Sequence, residues 1–467
     1  MRPLEILLLL TALAGGVRAL SPRLRGSVAL RSVGAATAAL VVALHLVLEG
    51  GRWQLVPVYV VAAGLLVGAV PGGPDLRRDP RIVASAAALG LLMTSASALF
   101  AWALPVPSLP ALPAGVSVGT TSVLLVDDAR EERYGPEPGG PRRLVAQAWY
   151  PTAPTQRSPA PFVADADAFA DAVGGFLGLP PFTLTHLGLV RTGTPADVAA
   201  SARSTPYPVL VYVHGWGGFR GVQLDLTEQL AAAGYVVIAL DHTYGSVATE
   251  LPDGSTIPID PAALPEGVPD EVYDAAASEL VATYADDLTF LLDTLERGPL
   301  APALEGIDLD LDAVGFVGHS TGGGAAVALC ARDARCGAVV GLDPWVEPLA
   351  DATIGAGLAQ PVLSIRSAEW VGNENDGVLG RLHAASTGPE RRMSIAGTEH
   401  RDVTLLPLLS PVSEVLGLSG STAGARTHAI TIDYTRAWFE RHLLGTGGGL
   451  LDREPYAEVT VEPSALG

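Results

Sequence analysis

The 467-residue chain contains no lysine, so all of its basic side chains are arginines. This excludes a Walker-type phosphate loop, a pyridoxal Schiff base and a Ser-x-x-Lys dyad, each of which needs the lysine amine. Cysteine is nearly absent as well. Cys330 and Cys336 are too few for a thiolate metal cluster; they either pair across a short loop or remain two buried thiols. No His-Glu-x-x-His run occurs, so a zinc peptidase has no support, and no metal or organic cofactor is expected. The net charge is −20 and no basic patch is present, which argues against a nucleic-acid partner. The same charge offers little pull toward anionic lipid, so any membrane attachment must be hydrophobic.

Apolar residues make up 49% of the chain and are concentrated in its first hundred residues. Four apolar stretches stand out, about Leu4–Val17, Val33–Leu48, Leu55–Val70 and Ile82–Leu104. The first is short, carries Glu5, and taken alone would pass for a signal-peptide core. Together they predict a multi-pass bundle, the middle two at the lower limit of a spanning helix. Arg18, Arg23, Arg25 and Arg31 follow the first stretch, and Arg77, Arg78 and Arg81 precede the fourth. By the positive-inside rule both loops are cytoplasmic, which puts the C-terminal domain outside. His45 and Glu49, near the end of the second stretch, read as structural rather than as an intramembrane site. The expected organisation is a membrane segment over 1–104, a Pro/Ala-rich linker over 105–115 and a globular domain over 116–467.

From about Val116 the pattern changes. Val123–Val126 and Leu144–Tyr150 read as a strand pair, and Pro208–Val213 and Tyr235–Leu240 as strands buried on both faces. A helix over Gln223–Ala233, a long acidic helix over about Tyr273–Glu296, and strands at Ala338–Leu342, Pro361–Ile365 and Arg392–Ile395 follow. This β-α-β alternation predicts an α/β class domain, a doubly wound, mostly parallel sheet with ligands at the carboxyl ends of its strands. The polar stretch Glu250–Asp270 reads as a lid or a surface loop.

Within that frame Gly318-His319-Ser320-Thr321-Gly322 is a G-x-S-x-G nucleophile elbow, with an apolar strand leading in and a small-residue helix leading out. A serine hydroxyl needs a base, and the base an acid, in the chain order Ser, acid, His. His400 ends a short strand and loop, where the base belongs. His383 looks helical, His428 precedes a strand-like run, and His442 lies on a C-terminal helix over about Tyr434–Leu444. For the acid, Asp343 competes with Glu369 and Asp376, and the residues alone favour Asp343 only narrowly. The Thr321 amide and the Trp216 amide, in His214-Gly215-Trp216-Gly217-Gly218-Phe219-Arg220, are the candidate oxyanion donors. Gly215-x-Gly217 with Asp241 also echoes a dinucleotide fingerprint, but Arg220 stands where its third glycine belongs.

These residues resemble the plasma-type platelet-activating-factor acetylhydrolase family of α/β-hydrolases, also called lipoprotein-associated phospholipase A2. The resemblance runs from about Val145 to His400. Its carriers are Trp149-Tyr150-Pro151, the segment His214–Arg220, Asp241-His242, Gly318–Gly323, Cys336-Gly337, Leu342-Asp343-Pro344-Trp345 and Glu399-His400. It implies Ser320 as nucleophile, Asp343 as acid, His400 as base, and the Trp216 and Thr321 amides as oxyanion hole. Thr321 stands where the family often has phenylalanine and Trp216 where leucine is usual, which reshapes the acyl pocket. Bacterial esterases of the cutinase type share the elbow and fold, so polyester or short-acyl ester hydrolysis is a neighbouring expectation.

The resulting expectation is a membrane-embedded serine esterase acting on short-acyl or lipid esters, with Phe219, Trp345 and Trp370 rimming the substrate pocket. Two rivals are an acyltransferase using the same triad, which added alcohol acceptors would reveal, and a tethered binding protein, which a serine-directed phosphonate would not label.

Overall fold

The computed structural model describes residues 1–21, 23–24, 26–70, 79–136, 138–447, 449–453 and 455–463. Arg25, Arg77 and Arg78, used above for sidedness, lie outside the described residues. The chain divides into two compact units, one of Met1–Pro107, Phe182–Val190 and Leu409–Val412, the other of Ser108–Pro181, Arg191–Leu408 and Ser413–Gly467.

The first unit contains helices α1 (Pro3–Leu20), α2 (Val28–Leu48), α3 (Val56–Ala69) and α4 (Pro80–Ala103). Of these α1, α2 and α4 are long and apolar enough to cross a membrane, at 18, 21 and 24 residues. Helix α2 begins at Val28, earlier than its apolar run, because the Ser27 hydroxyl caps it by accepting the Leu30 N–H. Helix α3 has only 14 residues and falls short of a span. Leu8, Ala12, Ala38, Val41, Leu55, Val58, Ala62 and Ala101 form the interior. A polar cluster is buried with them. Glu5 and Arg52 are fully buried and joined by two 2.8 Å hydrogen bonds, and Arg52 also donates to the Leu104 carbonyl at 2.6 Å. His45 bridges Glu49 (3.0 Å) and the Tyr59 hydroxyl (2.8 Å), so its ring is committed on both sides. Two distant segments complete the unit: Phe182 meets the Trp53 ring edge-on at 5.2 Å, and the Ser410 hydroxyl donates to the Ala103 carbonyl at 2.5 Å.

The described residues of the second unit form thirteen strands: β1 (Val118–Glu131), β2 (Pro141–Pro151), β3 (Pro159–Pro161), β4 (Arg191–Pro195), β5 (Tyr207–Val213), β6 (Val236–Asp241), β7 (Ala248–Glu250), β8 (Thr256–Pro258), β9 (Leu309–His319), β10 (Cys336–Leu342), β11 (Val362–Ser367), β12 (Glu390–Ile395) and β13 (Val459–Val461). Nine of them form one sheet in the order β1-β2-β6-β5-β9-β10-β11-β12-β13. The stretch from β6 to β12 is parallel, and the antiparallel pairings are at the two edges. The helices are α5 (Ala166–Leu177), α6 (Leu224–Ala232), α7 (Asp270–Arg297), α8 (Thr321–Cys330), α9 (Asp351–Ala356), α10 (Glu374–Ala385), the single turn α11 (Leu406–Leu409) and α12 (Gly424–His442). Alternate residues of β5 feed two cores. Val209, Val211 and Val213 pack on the face covered by α7 and α8; Leu210 and Tyr212 pack on the face covered by α6 and α12. Burial on both faces is why β5 and β6 read as unbroken apolar runs.

The structure corrects one element and refines another. The strand-like run after His428 is helical. Ile430, Thr431, Tyr434 and Trp438 recur at helical spacing and bury one face of α12, and this packing overrides the β preference of the branched residues. The segment expected as a lid or loop begins inside the hairpin β7–β8, and Val247, just before that hairpin, donates to the Gly218 carbonyl at 2.8 Å. Cys330 and Cys336 are joined by a disulfide between the end of α8 and the start of β10.

Candidate active site

Strand β9 is central in the sheet, flanked by β5 and β10. All three end at one edge, so the loop after β5, the elbow after β9 and the residue after β10 converge there. Ser320 has φ 53° and ψ −122°, a conformation that side chains rarely adopt and that surrounding bonds must hold. The Ser320 N–H donates to the Leu342 carbonyl at 3.0 Å, and the Ser320 carbonyl accepts from Trp345 at 2.9 Å. Both motif glycines are sterically required: a Cβ on Gly318 would lie 2.4 Å from the Gly322 carbonyl oxygen, and one on Gly322 would lie 2.3 Å from that of Val213.

Asp343 is fully buried, with φ also positive at 43°. One of its oxygens accepts the Ser367 N–H at 2.7 Å; the other lies 3.1 Å from Nδ1 of His400. Burial pushes the Asp343 carboxyl up to about 7, against the hydrogen bonds from Ser367. It pushes His400 down to about 4, because the enclosed ring resists taking a charge. The His400 ring stacks on Trp370 at 4.2 Å and 4°, and its other neighbour is His319, at 4.6 Å. His319 Nε2 donates to the His400 carbonyl at 3.0 Å.

The other candidate bases are engaged elsewhere. His428 pairs with Asp225 and with the Thr404 carbonyl, His383 with Glu390 and Ser364, and the His442 ring lies against Trp438. Of the alternative acids, Asp376 is held by Arg366 and Arg392. Glu369 is close, but its carboxylate accepts the His400 backbone N–H at 2.7 Å rather than facing the ring.

The loop after β5 packs against the elbow; a Cβ on Gly215 would lie 2.9 Å from that of Ser320. Asp241 fixes this loop through the Arg220 N–H (2.6 Å) and the Arg220 guanidinium, so the residue that suggested ribose binding has a structural partner. The Trp216 N–H is directed at the Thr321 hydroxyl, at 3.4 Å. The Thr321 N–H is in the first turn of α8, where amides have no partner within the helix. Among the rim aromatics only Trp370 touches His400. Phe219 packs edge-on with Phe162 and Phe169, and Trp345 neighbours Tyr273. The sequence reading missed His319, Ser367 and the role of Glu369. The position of His319 beside Ser320 was an available signal, but the other two depend on how β11 and β12 align.

The profile of the family described as platelet-activating factor acetylhydrolase, isoform II, matches residues 148–252 and 305–445, more than half of the chain. The chain belongs to this family. The family match covers Trp216, Ser320, Asp343 and His400. Among curated relatives, the platelet-activating factor acetylhydrolase of Canis lupus familiaris is 28% identical over 228 residues, covering 45% of this chain and 51% of that protein. That of Bos taurus is 24% identical over 301 residues, covering 57% and 66%. The chain thus spans between half and two thirds of these relatives. The solved structure of a ferulic acid esterase from Streptomyces cinnamoneus aligns with a TM-score of 0.64 and 30% identity, over 77% of this chain and 100% of the esterase. The fold is that of an α/β-hydrolase.

Proposed function

We propose that the chain is a membrane-anchored serine carboxylic-ester hydrolase, acting on short-acyl or lipid esters through an acyl-serine intermediate. The observation that carries the assignment is the pairing of Asp343 with His400, whose ring lies 4.6 Å from that of His319, the residue before the strained Ser320. In this mechanism Ser320 Oγ bonds to the ester carbon while its proton passes to His400 Nε2. The carbonyl electron pair moves to the oxygen, which the Trp216 and Thr321 amides receive. To reach the Trp216 amide, that oxygen takes the place now held by the Thr321 hydroxyl. Asp343 holds the His400 proton on Nδ1 and so leaves Nε2 as the accepting nitrogen. Collapse of the tetrahedral species expels the alcohol, protonated by His400; water then repeats the sequence to release the acid. The low proton affinity of half-buried His400 keeps it in the neutral, accepting form.

Residues 1–104 act as the anchor, 105–115 as the linker and 116–467 as the catalytic domain, outside the cytoplasm. The arginine distribution supports this sidedness, as does the Cys330–Cys336 disulfide, since such bonds persist in oxidising compartments. The relatives' names, an acetylhydrolase and a ferulic acid esterase, frame the acyl groups worth testing. The test is hydrolysis of p-nitrophenyl esters from acetyl to palmitoyl, with a feruloyl ester added, by wild type and Ser320→Ala. Activity that vanishes in the variant supports the assignment. No activity on any ester, with no phosphonate labelling of the wild type, overturns it.

A further inference from the structure

The turn Ser367–Trp370 that follows β11 touches every part of the acid–base pair. The Ser367 N–H holds Asp343, the Glu369 carboxylate accepts the His400 N–H, and the Trp370 indole lies flat on the His400 ring. The turn is itself fastened. Trp370 N–H donates to the Ser367 carbonyl at 3.3 Å, Glu369 N–H to the Thr398 carbonyl at 3.2 Å, and Ala368 N–H to the Thr398 hydroxyl at 3.2 Å. The indole is therefore fixed to the same loop that carries the base.

We propose that Trp370 is a positioning residue, a half-buried aromatic lid that sets the plane of the His400 imidazole and keeps water off one of its faces. The proposal rests on His400 being the general base. Stacking at 4.2 Å with 4° between the planes resists the ring rotation about χ2 that would swing Nε2 away from a serine. The titratable and charged groups around the ring are Asp343 from the end of β10, His319 from β9, Glu369 from the turn and Arg401 from its own loop. Trp370 is the uncharged neighbour that lies flat on a face of the ring. Removing the indole admits water there, which favours the protonated ring.

The experiment compares Trp370→Leu, Trp370→Phe and wild-type full-length protein in detergent micelles. Two readouts are used: the pH dependence of kcat/KM for p-nitrophenyl acetate, and the titration of the His400 ring by NMR. For Trp370→Leu the expected result is a fall in kcat of about tenfold, a modest value for lost orientation, with KM little changed. The acid limb of the profile, which belongs to the Asp343–His400 pair, is expected to move upward by about half a pH unit or more. Trp370→Phe, which keeps a flat ring, is expected to restore most of both. An unmoved limb with kcat within twofold overturns the proposal, as does a change confined to KM, which would make Trp370 a substrate wall only. The NMR titration needs no turnover, so if the protein hydrolyses no ester a raised His400 pKa in Trp370→Leu still supports the lid, and an unchanged one still sinks it.

Discussion

Ser364, His383 and Glu390 form a more complete hydrogen-bond chain than Ser320, His400 and Asp343 do. The Ser364 hydroxyl is 2.8 Å from His383 Nε2, and His383 Nδ1 is 2.9 Å from Glu390. Ser364 and His383 are both buried, in the middle of β11 and on the inner side of α10. That chain is enclosed, with each ring nitrogen of His383 partnered and no positive-φ residue among its members. The other set lies at the strand ends, with two positive-φ residues, an adjacent helix N-terminus and a base whose second nitrogen is left for the serine. A saturated polar chain supports the fold; a strained, unsaturated one at a sheet edge is fit for chemistry.

Substitutions at matched positions test this contrast. Ser320→Ala is expected to lower kcat by ~10⁴ or more, whereas Ser364→Ala leaves it within about twofold and costs about 1–3 kcal/mol of stability by stranding His383 Nε2. Ester hydrolysis and urea melts measure the two effects, and an inactive but stable Ser364→Ala protein would reverse the assignment. Asp343→Asn is expected to cost ~10⁴ in kcat by favouring the wrong imidazole tautomer, while Glu390→Gln retains near-normal rates. A smaller loss, ~10²–10³ in kcat with intact phosphonate labelling, is expected for Gly215→Ala, since the added methyl meets Ser320 Cβ at 2.9 Å and lifts the Trp216 amide.

The mildest test is acid. Burial holds His214, His319, His383 and His400 below the usual histidine range, so between those values and about 6.5 the unfolded chain binds more protons than the folded one. Stability from these groups is present above about 6.5 and is lost as pH falls, while His428, raised by Asp225, and the carboxyls of Asp343 and Glu228, raised by burial to about 7, work in the opposite direction. The melting temperature of His383→Gln relative to wild type is therefore expected to rise as pH falls from about 7 to 5, because that variant lacks one of the groups that lose stability in acid. An unchanged slope in that variant would remove His383 from the account.

Much of this was legible because it is local. The elbow is a contiguous string with two glycines at which an added Cβ would lie within 2.4 Å of a backbone atom, so the requirement is written in five residues. The sheet was legible because β5 and β6 are buried on both faces. Asp343 was hard to choose over Glu369 because both are near His400, one at the ring and one at the backbone, and sequence does not separate those roles. The start of α12 was misread because Ile430, Thr431 and Ile432 are branched, and only their burial against the sheet reveals the helical period. The inclusion of 182–190 and 409–412 in the helical unit left no trace in composition, since a few aromatic and hydroxyl contacts carry it.

The buried Glu5–Arg52 pair has a consequence for how the chain is made. Its two members are 47 residues apart, and at a synthesis rate of about 5–20 residues per second Glu5 is joined to the chain some seconds before its partner exists. For that interval α1 has a carboxyl group but no arginine from the α2–α3 connection to receive it. Until then Glu5 has Arg2, at the start of its own helix, as its arginine partner, and the second arginine is added only once the first helical hairpin is complete. Order of assembly, rather than final stability alone, is thus encoded in which residue pairs with which.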